Sequence, residues 1–497
     1  MDQNVQIPRG AVAAVVAVGL ALMAGLALAS PLSYFSVIFV AGLFMVLVSP
    51  LLLRWYHALT ICFWNTVFVA FFLPGRPPIW VVVAVIGLAC AVVTNAIRNR
   101  PAALRVWSVS WPLIALAVVV VITLLVRGGF GARSLGSDMW GSKRYLTLLG
   151  GIVGYFVLTS QVIPRARAQW YAGLFFLTGV TAVLSDIVFV AGPSFYFLFN
   201  FLSVDVAANQ VMTQDTLRRF TGLAWLAQAV SWVLLLRYGI RGVFDLRQPW
   251  RVFAFVLLFG VSLFGGFRSS IILLALLFLT QFWYERLLRT KFFPIALACG
   301  VLVSGFVLAF AENLPLSMQR SLTFLPIKVH PMARQDAEGS LDWRLSMWKV
   351  VAKEVPQYLW LGKGFTFSGV DLYLVNESIR RGYFELYEEP LVTGNYHSGP
   401  LTLLVPFGVF GSAAFAVFIV AGWRVLRRNY LYGDPELRNI NTFLIAFFAA
   451  RFLFFLIFYG QFDLDLMVFT GVVGLSIAIN GGVKSSPVEL AVHARGH

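Results

Sequence analysis

Residues 399–422 read GPLTLLVPFGVFGSAAFAVFIVAG and contain no charged side chain. About 20 apolar residues in a helix suffice to cross roughly 30 Å of hydrocarbon. Such runs recur along the 497 residues, of which 59% are hydrophobic and only 12% charged, with a mean hydropathy of +0.82. A soluble chain carries about 25% charged residues. The sequence therefore predicts an all-α, polytopic transmembrane helical bundle of about 12–14 spans.

The predicted spans follow one another closely along the chain. They are 11–29, 32–52, 57–73, 79–97, 108–126, 145–163, 169–192, 220–238, 251–266, 268–284, 292–311, 399–422, 440–458 and 463–481. The first could be read as a signal peptide, but its apolar run is too long and another span follows at once, so we expect an uncleaved helix. Alternating ten-residue strands are absent, which argues against an outer-membrane barrel.

We predict four parts along the chain, one of which is a long polar stretch. They are an N-terminal transmembrane bundle over 1–311, a large and mostly helical loop over 312–397, C-terminal transmembrane helices over 398–482 and a disordered tail over 483–497. Within the loop, we expect a helix from Leu341 to Val355 with Asp342 near its N-cap. A turn at Gly362-Lys363-Gly364 and a helix from Asp371 to Arg381 follow.

Basic residues collect in alternate connections between the spans, namely 98–105, 165–167, 237–251, 285–291 and 424–438. The positive-inside rule makes that side cytoplasmic, and both termini with it. Residues 127–144, 193–219 and 312–397 then face the periplasm, across the inner membrane of a two-membrane bacterium. The net charge of +16 follows from this topology. It indicates a membrane protein and no nucleic-acid partner.

The segment Gly265-Gly266-Phe267-Arg268-Ser269-Ser270 places an arginine at the outer end of two short spans. A charge close to the hydrocarbon is costly and often marks a functional site. The alternative is an arginine whose side chain reaches the interface and merely ends a helix. The small neighbours leave room for ligand oxygens, which favours anion binding by Arg268.

Arg344 lies in the predicted loop helix, on the same face as Trp348. Its guanidinium group could hold a phosphate through two parallel hydrogen bonds. The alternative is an ion pair with a loop carboxylate such as Asp342 or Glu354.

His397 stands where the chain re-enters the bilayer, in Thr393-Gly394-Asn395-Tyr396-His397-Ser398-Gly399-Pro400. With an ordinary pKa of ~6.5, an imidazole can take up and return a proton near neutrality. A lone histidine at a helix start is more often structural. The polar turn around it and the outer arginines favour a general base.

Other polar residues carry weaker signals. Asp463 and Asp465 begin the last span, where a helix N-terminus favours carboxylates in any case, although they could also bind a cation or a sugar. Arg451 lies within a span and needs a partner, for which Asp463 or a lipid phosphate is a candidate. Candidate contacts to an acceptor substrate or to lipid are Tyr396, Asn395, Ser398, Lys363 and Asp463. An outer basic loop holds Arg127, Arg133, Lys143 and Arg144. No nucleotide-binding loop or His/Cys metal motif occurs, so we predict neither a cofactor nor a metal site.

Three motifs together resemble the family of O-antigen ligases and O-antigen polymerases, which are integral-membrane glycosyltransferases of the GT-C kind. The first is Phe267-Arg268-Ser269. The second is the segment from Arg344 to Trp348, followed by Gly362-Lys363-Gly364. The third is His397-Ser398 with a Leu-rich helix and the Gly408 to Gly411 pair. The chain differs from the family in having Ser398-Gly399-Pro400 after the histidine, where Asn or Gln is usual.

The resemblance implies a helical bundle with a periplasmic loop domain that transfers a glycan from undecaprenyl diphosphate without a metal ion and with inversion. Carried over, Arg268 and Arg344 would bind the diphosphate and His397 would assist the attack of the acceptor. The implied partners are the lipid-linked glycan donor, a lipid or glycan acceptor, the membrane, and other proteins of polysaccharide assembly. Lipopolysaccharide and cell-envelope synthesis are the implied processes.

Two other classes of function stay open at this point. A transporter or flippase of a lipid-linked polysaccharide precursor would also need many spans and basic residues. It would line a cavity through the membrane with charges, whereas here the charges cluster on the outer side, which favours the enzyme. A structural scaffold in an assembly complex is the third class. Ligase and polymerase share the same chemistry at the diphosphate, and the sequence does not separate them.

Overall fold

The computed structural model describes residues 9–29, 34–73, 75–97, 104, 106–128, 139–207, 218–382 and 388–486. This part of the chain is almost entirely helical, which confirms the predicted all-α class. The helices are α1 (Arg9–Ala29), α2 (Tyr34–Phe63), α3 (Ile79–Ile97), α4 (Trp107–Arg127), α5 (Ser142–Leu158), α6 (Arg165–Leu177), α7 (Val183–Ala191), α8 (Thr221–Val243), α9 (Pro249–Ser262), α10 (Arg268–Tyr284), α11 (Phe292–Phe310), α12 (Leu316–Leu322), α13 (Pro331–Glu354), α14 (Gly369–Arg380), α15 (Glu388–Thr393), α16 (Gly399–Tyr432), α17 (Arg438–Ile457) and α18 (Phe462–Asn480). Two short strands, β1 (Met139–Trp140) and β2 (Phe367–Ser368), pair antiparallel.

Eight helical segments in the described ranges are long and apolar enough to cross a bilayer. They are Val46–Phe63, Ile79–Ile97, Trp107–Arg127, Arg165–Ala191, Thr221–Val243, Gly399–Tyr432, Pro435–Ile457 and Phe462–Asn480. Shorter apolar helices run over Ala17–Leu26, Pro249–Gly265, Arg268–Tyr284 and Phe292–Leu302. The predicted multi-pass bundle is confirmed. Of the predicted disordered tail over 483–497, residues 487–497 lie outside the described part.

The chain forms two compact units, Met1–Tyr56 and His57–His497. Two spans were predicted over 32–52 and 57–73, but the structure has one helix there, α2, which ends at Phe63. The prediction of a separate span over 57–73 is therefore wrong. The helix ends because the backbone beyond Phe63 pairs with distant segments: Phe68 forms an isolated bridge with Leu202, and Val69 forms one with Pro78.

The core of the second unit is built on close helix contacts at glycines. Helix α5 packs against α3 and α18. A Cβ added at Gly151 of α5 would meet the backbone of Met467 at 3.3 Å, and one at Gly471 of α18 would meet the indole of Trp64. Small residues let helix backbones approach closely, which favours van der Waals packing between apolar helices. The tight contact between α5 and α18 positions the polar starts of both helices side by side.

Three of the basic connections that were predicted to share one side, 165–167, 237–251 and 424–438, lie at one end of the second unit, while most of the connection over 98–105 lies outside the described residues. Arg165 forms an ion pair with Asp434, and the Asn439 side chain donates a hydrogen bond to the carbonyl of Arg237. These contacts join three of the predicted cytoplasmic connections. The polar loop lies at the opposite helix ends, where α10, α16 and α18 begin.

The loop helix α13 begins at Pro331, ten residues before the predicted start at Leu341, so the predicted N-cap at Asp342 is wrong. The His330 side chain caps the helix instead by accepting a hydrogen bond from the amide of Met332. Proline is well suited to the first helical position, since its missing N–H needs no partner there. The predicted second loop helix is present as α14, where Ser368 and Asp371 form a capping box.

Helix α16 is interrupted at Gly408, whose φ of 62° is in the left-handed region. Pro406 just before it has no amide hydrogen for a helical bond. The loop fills the gap: the Lys363 amide donates to the carbonyl of Val405 at 2.8 Å, and the Val409 amide donates to the carbonyl of Leu359 at 2.7 Å. The predicted glycine turn at 362–364 therefore docks on the break in α16 and anchors the loop to the bundle.

Candidate functional site

Arg268 is the first residue of α10, directly after a tight turn in which Gly266 has a φ of 67°. The turn aims the Arg268 side chain at the loop helix α13, where its Nη2 donates a hydrogen bond to the carbonyl of Ala337 at 2.7 Å. The guanidinium group therefore lies between the bundle and the loop, and one donor nitrogen is engaged with the backbone.

Two further arginines and one aspartate, none of them singled out from the sequence, surround this turn. Arg219 Nη2 lies 2.9 Å from Asp336 Oδ2, and Arg320 Nε bonds to the same oxygen. Arg320 Nη1 also donates to the carbonyl of Gly266. No local motif marks these residues, because they come from three separate segments before α8, in α12 and in α13.

Charge and burial act together in this cluster. Burial alone would raise the pKa of Asp336, but the hydrogen bond from Arg320 and the charges of Arg320 and Arg219 lower it. Burial lowers the pKa of Arg219 to about 10, and the positive charge of Arg320 acts in the same direction. The carboxylate therefore stays ionised near neutral pH and offsets part of a locally high positive charge.

Arg344 is a largely buried arginine with free hydrogen-bonding capacity. Its Nε is buried without a partner, and it makes no hydrogen bond or salt bridge to any residue that the structure describes. The alternative of an ion pair with Asp342 or Glu354 is therefore not found, since Glu354 pairs with Lys363 at 3.0 Å. Burial lowers the pKa of Arg344.

His397 adopts a φ of 50°, which is uncommon for a residue with a side chain. Its ring packs edge to face against Trp343, with centroids 5.2 Å apart, and against Tyr459 at 5.4 Å. Its Nδ1 is buried and has no hydrogen-bond partner in the described ranges. Burial, and then the charge of Arg344, lower the pKa of His397 to about 4. The imidazole is therefore neutral near pH 7.

Arg451 and the two aspartates at the start of α18 pair differently from the prediction. Arg451 Nη2 lies 2.7 Å from Asp465 Oδ1, so Asp463 is not its partner. Asp463 instead accepts a hydrogen bond from Arg144 at 3.0 Å, and Arg144 Nη1 donates to the carbonyl of Thr393. The register of α18 decides which aspartate pairs with which arginine, because it turns Asp465 toward α17 and Asp463 toward α5. Asp463 is thus engaged within the protein.

The remaining candidates around His397 also hold the local structure. The carbonyl of Tyr396 accepts a hydrogen bond from Trp348 Nε1 at 2.7 Å, and Tyr396 is 1% exposed. Asn395 Oδ1 accepts a hydrogen bond from the Gln461 side chain.

Two more predicted contacts, Ser398 and Lys363, and Arg127 of the outer basic loop form hydrogen bonds within the protein. The carbonyl of Ser398 accepts hydrogen bonds from Thr402 in the first turn of α16. Lys363 is held by Glu354. In the outer basic loop, Arg127 Nε donates to the carbonyl of Gly362 at 2.9 Å, while Arg133 lies outside the described residues.

Taken together, four arginines lie in this region: Arg219 and Arg320 bond to Asp336, whereas Arg268 and Arg344 form no ion pair with a carboxylate in the described part of the chain. The excess positive charge in a mostly buried place suits an anion with several oxygens, since guanidinium groups bind phosphate oxygens in pairs. A neutral imidazole lies next to this cluster. No three His, Cys, Asp or Glu side chains in the described part of the chain come together as metal ligands.

A search of curated proteins finds no match to this chain. A family model does match it, over residues 253–416, and its description is O-antigen ligase. The matched segment runs from α9 into α16 and contains Arg268, Arg344 and His397. It supports a role like that of a membrane glycosyltransferase in O-antigen assembly. The predicted resemblance is thus confirmed: residues 253–416 of this multi-pass membrane protein match the O-antigen ligase family model.

Proposed function

We propose that this protein is an inner-membrane glycosyltransferase that moves a glycan from undecaprenyl diphosphate to a lipid or glycan acceptor. The loop and the arginine cluster face the periplasm in this proposal, and the basic connections face the cytoplasm. The observation that carries it is the pair of unpartnered buried nitrogens, Arg344 Nε and His397 Nδ1, beside the arginine cluster. Buried polar atoms without partners are costly, and a bound anion and an acceptor hydroxyl would satisfy both.

The donor site consists of arginines from two parts of the chain. Arg268 would bind the diphosphate from the bundle and Arg344 from the loop. In the reaction, the bond between the anomeric carbon and the diphosphate oxygen breaks, and its electron pair leaves with undecaprenyl diphosphate. Negative charge grows on that oxygen in the transition state. Preorganised guanidinium groups in a site that excludes water stabilise it, a task that divalent metals perform in many other glycosyltransferases.

The acceptor hydroxyl would attack the anomeric carbon from the face opposite the leaving group, so the configuration inverts. Its proton would pass to His397 as the new carbon–oxygen bond forms. The low pKa of His397 keeps the imidazole unprotonated and ready to accept. A bound diphosphate would offset the charge of Arg344, which raises the pKa of His397 and makes it a stronger base when the donor is present.

The test uses purified protein in detergent with undecaprenyl-diphosphate-linked oligosaccharide and EDTA. We expect transfer by the wild type and a loss of at least about 100-fold in turnover for Arg268→Ala and for His397→Ala, as for removal of a charge-stabilising donor or a general base. Arg380→Ala is the matched control, because Arg380 is a loop arginine with a 76% exposed side chain. It should retain activity.

Substantial activity in both Arg268→Ala and His397→Ala would contradict the proposed roles. No transfer by the wild type to any tested acceptor, together with movement of the labelled lipid across liposomes, would instead identify a transporter. A product with retained anomeric configuration would contradict the single inverting attack.

A further inference from the structure

We propose that Asp336 is a positioning residue of the donor site, which docks the loop helix α13 on the bundle and so sets the separation between Arg268 and Arg344. The inference rests on the proposed function for the identity of the ligand. It concerns a different residue and a different step, the assembly of the site before any bond is broken.

The two proposed diphosphate-binding arginines lie on separate elements. Arg268 begins α10 in the bundle, whereas Arg344 is carried by α13 in the loop. Asp336 precedes Arg344 by eight residues on the same helix, which is roughly 12 Å along its axis. A shift of the first turns of α13 would therefore move Arg344 relative to Arg268. A diphosphate needs both groups at a fixed distance.

Every described polar contact between this part of α13 and the turn before α10 involves Asp336 or its neighbour. Asp336 is bonded by Arg219 and Arg320, and Arg320 continues to the carbonyl of Gly266. Arg268 adds a hydrogen bond to the carbonyl of Ala337. The carboxylate is the one acidic group among these contacts.

Removal of that negative charge has a definite consequence for the docking. Arg320 is 5% exposed, and it lies beside a second buried arginine, Arg219, which its charge already affects. Without the Asp336 carboxylate, whose side chain is 34% exposed, the two like charges lose the negative group that both contact, and the buried charge of Arg320 is left without an ionic partner, which is destabilising. We expect the first turns of α13 to detach from the turn at Gly266 while the rest of the bundle stays folded.

A different role for Asp336 would give the opposite result. Its carboxylate could occupy the place of a phosphate oxygen and be displaced by the donor. In that case, neutralising Asp336 would free Arg219 and Arg320 and tighten binding of the diphosphate. The docking role instead requires weaker binding, because Arg344 is no longer held at the right distance from Arg268.

The experiment compares the wild type, Asp336→Asn and Asp336→Glu in the full-length protein in detergent. Asp342→Asn is the matched control, since Asp342 is an exposed aspartate on the same helix. Amide hydrogen exchange over residues 331–345 reports docking without any substrate. Binding of undecaprenyl diphosphate, titrated without an acceptor, reports the assembled site independently of turnover.

For Asp336→Asn we expect faster exchange over residues 331–345 and a Kd for undecaprenyl diphosphate raised at least about 10-fold. Unfolding of the bundle helices should be unchanged. Asp336→Glu, which restores the charge, should recover part of both effects, and Asp342→Asn should resemble the wild type. Unchanged exchange, or equal or tighter binding in Asp336→Asn, would overturn the inference. Wild-type protein that binds undecaprenyl diphosphate but transfers no glycan would refute the proposed function alone.

Discussion

The guanidinium carbon of Arg344 lies 5.8 Å from the centroid of the Tyr459 ring. His397 packs against the same ring, so Tyr459 contacts both residues proposed to act on the donor and the acceptor. An aromatic face attracts a cation without occupying the hydrogen-bond donors of that cation. Tyr459 can thus hold Arg344 in place while the nitrogens stay available for an anion.

We predict that the ring of Tyr459 matters more than its hydroxyl. Tyr459→Phe keeps the face that contacts Arg344 and His397, so glycan transfer should stay within about threefold of the wild type. Tyr459→Leu removes the aromatic face. Its contact with the Arg344 cation and its contact with the His397 ring are each worth about 1 kcal/mol. This variant should therefore lower kcat/KM about 10-fold or more. Steady-state transfer kinetics measure both. Equal activity of Tyr459→Leu and Tyr459→Phe would contradict this role.

His397 should make stability depend on pH in a definite direction. Its pKa falls from an ordinary value of ~6.5 in the unfolded chain to about 4 in the folded one. Between these values the unfolded state binds more protons, so the free energy of unfolding decreases as the pH falls from about 6.5 to 4. The loss attributable to His397 should be on the order of 2 kcal/mol.

The matching variant is His397→Asn, since asparagine tolerates a positive φ better than most residues. Thermal unfolding in detergent at pH 7 and at pH 4.5 should give a smaller loss of stability for this variant than for the wild type. All other groups are common to both proteins and cancel in the comparison. An equal loss in the two proteins would show that the folded pKa of His397 is not lowered.

We predict that losing one partner of the Arg451–Asp465 ion pair destabilises the bundle more than replacing both partners. The Asp465 side chain is 2% exposed, so Arg451→Met leaves the charge of Asp465 buried without an ionic partner. Breaking one side of such a pair costs about 3–5 kcal/mol, whereas replacing both partners by apolar residues is often neutral. Arg451→Met should lower the midpoint of thermal unfolding, and Arg451→Met with Asp465→Leu should recover most of the loss. Additive losses in the double variant would argue against a coupled pair.

The break in α16 should require the glycine at position 408. Its φ of 62° is unfavourable for alanine, and an added Cβ would meet the backbone carbonyls of Leu359 and Trp360. Gly408→Ala should cost about 1–3 kcal/mol of stability. Gly260→Ala in α9 is the matched control, because nothing lies within 4 Å of its added Cβ and helix propensity favours alanine. Similar unfolding midpoints for the two variants would contradict a strained break at Gly408.

The sequence by itself determined the class of fold and most helix positions. Runs such as 79–97 and 268–284 match the bounds of α3 and α10. The reason is physical: a helix in lipid satisfies its own backbone hydrogen bonds, so its apolar length is enough to identify it. The sequence also singled out Arg268 and His397, because a charge or an imidazole beside long apolar runs stands out, and Arg344, because it lies on the same face of the predicted loop helix as Trp348.

Only the tertiary structure decided which groups meet. Arg219, Arg320 and Asp336 come from distant segments, and Tyr459 lies far along the chain from Arg344. The end of α2 at Phe63 likewise depends on pairing with residues beyond Pro77 and near Leu202. Such contacts leave no local pattern, since they depend on helix packing and register. For the same reason the sequence offered Asp463 or a lipid phosphate as the partner of Arg451, whereas the structure pairs Arg451 with Asp465 of α18.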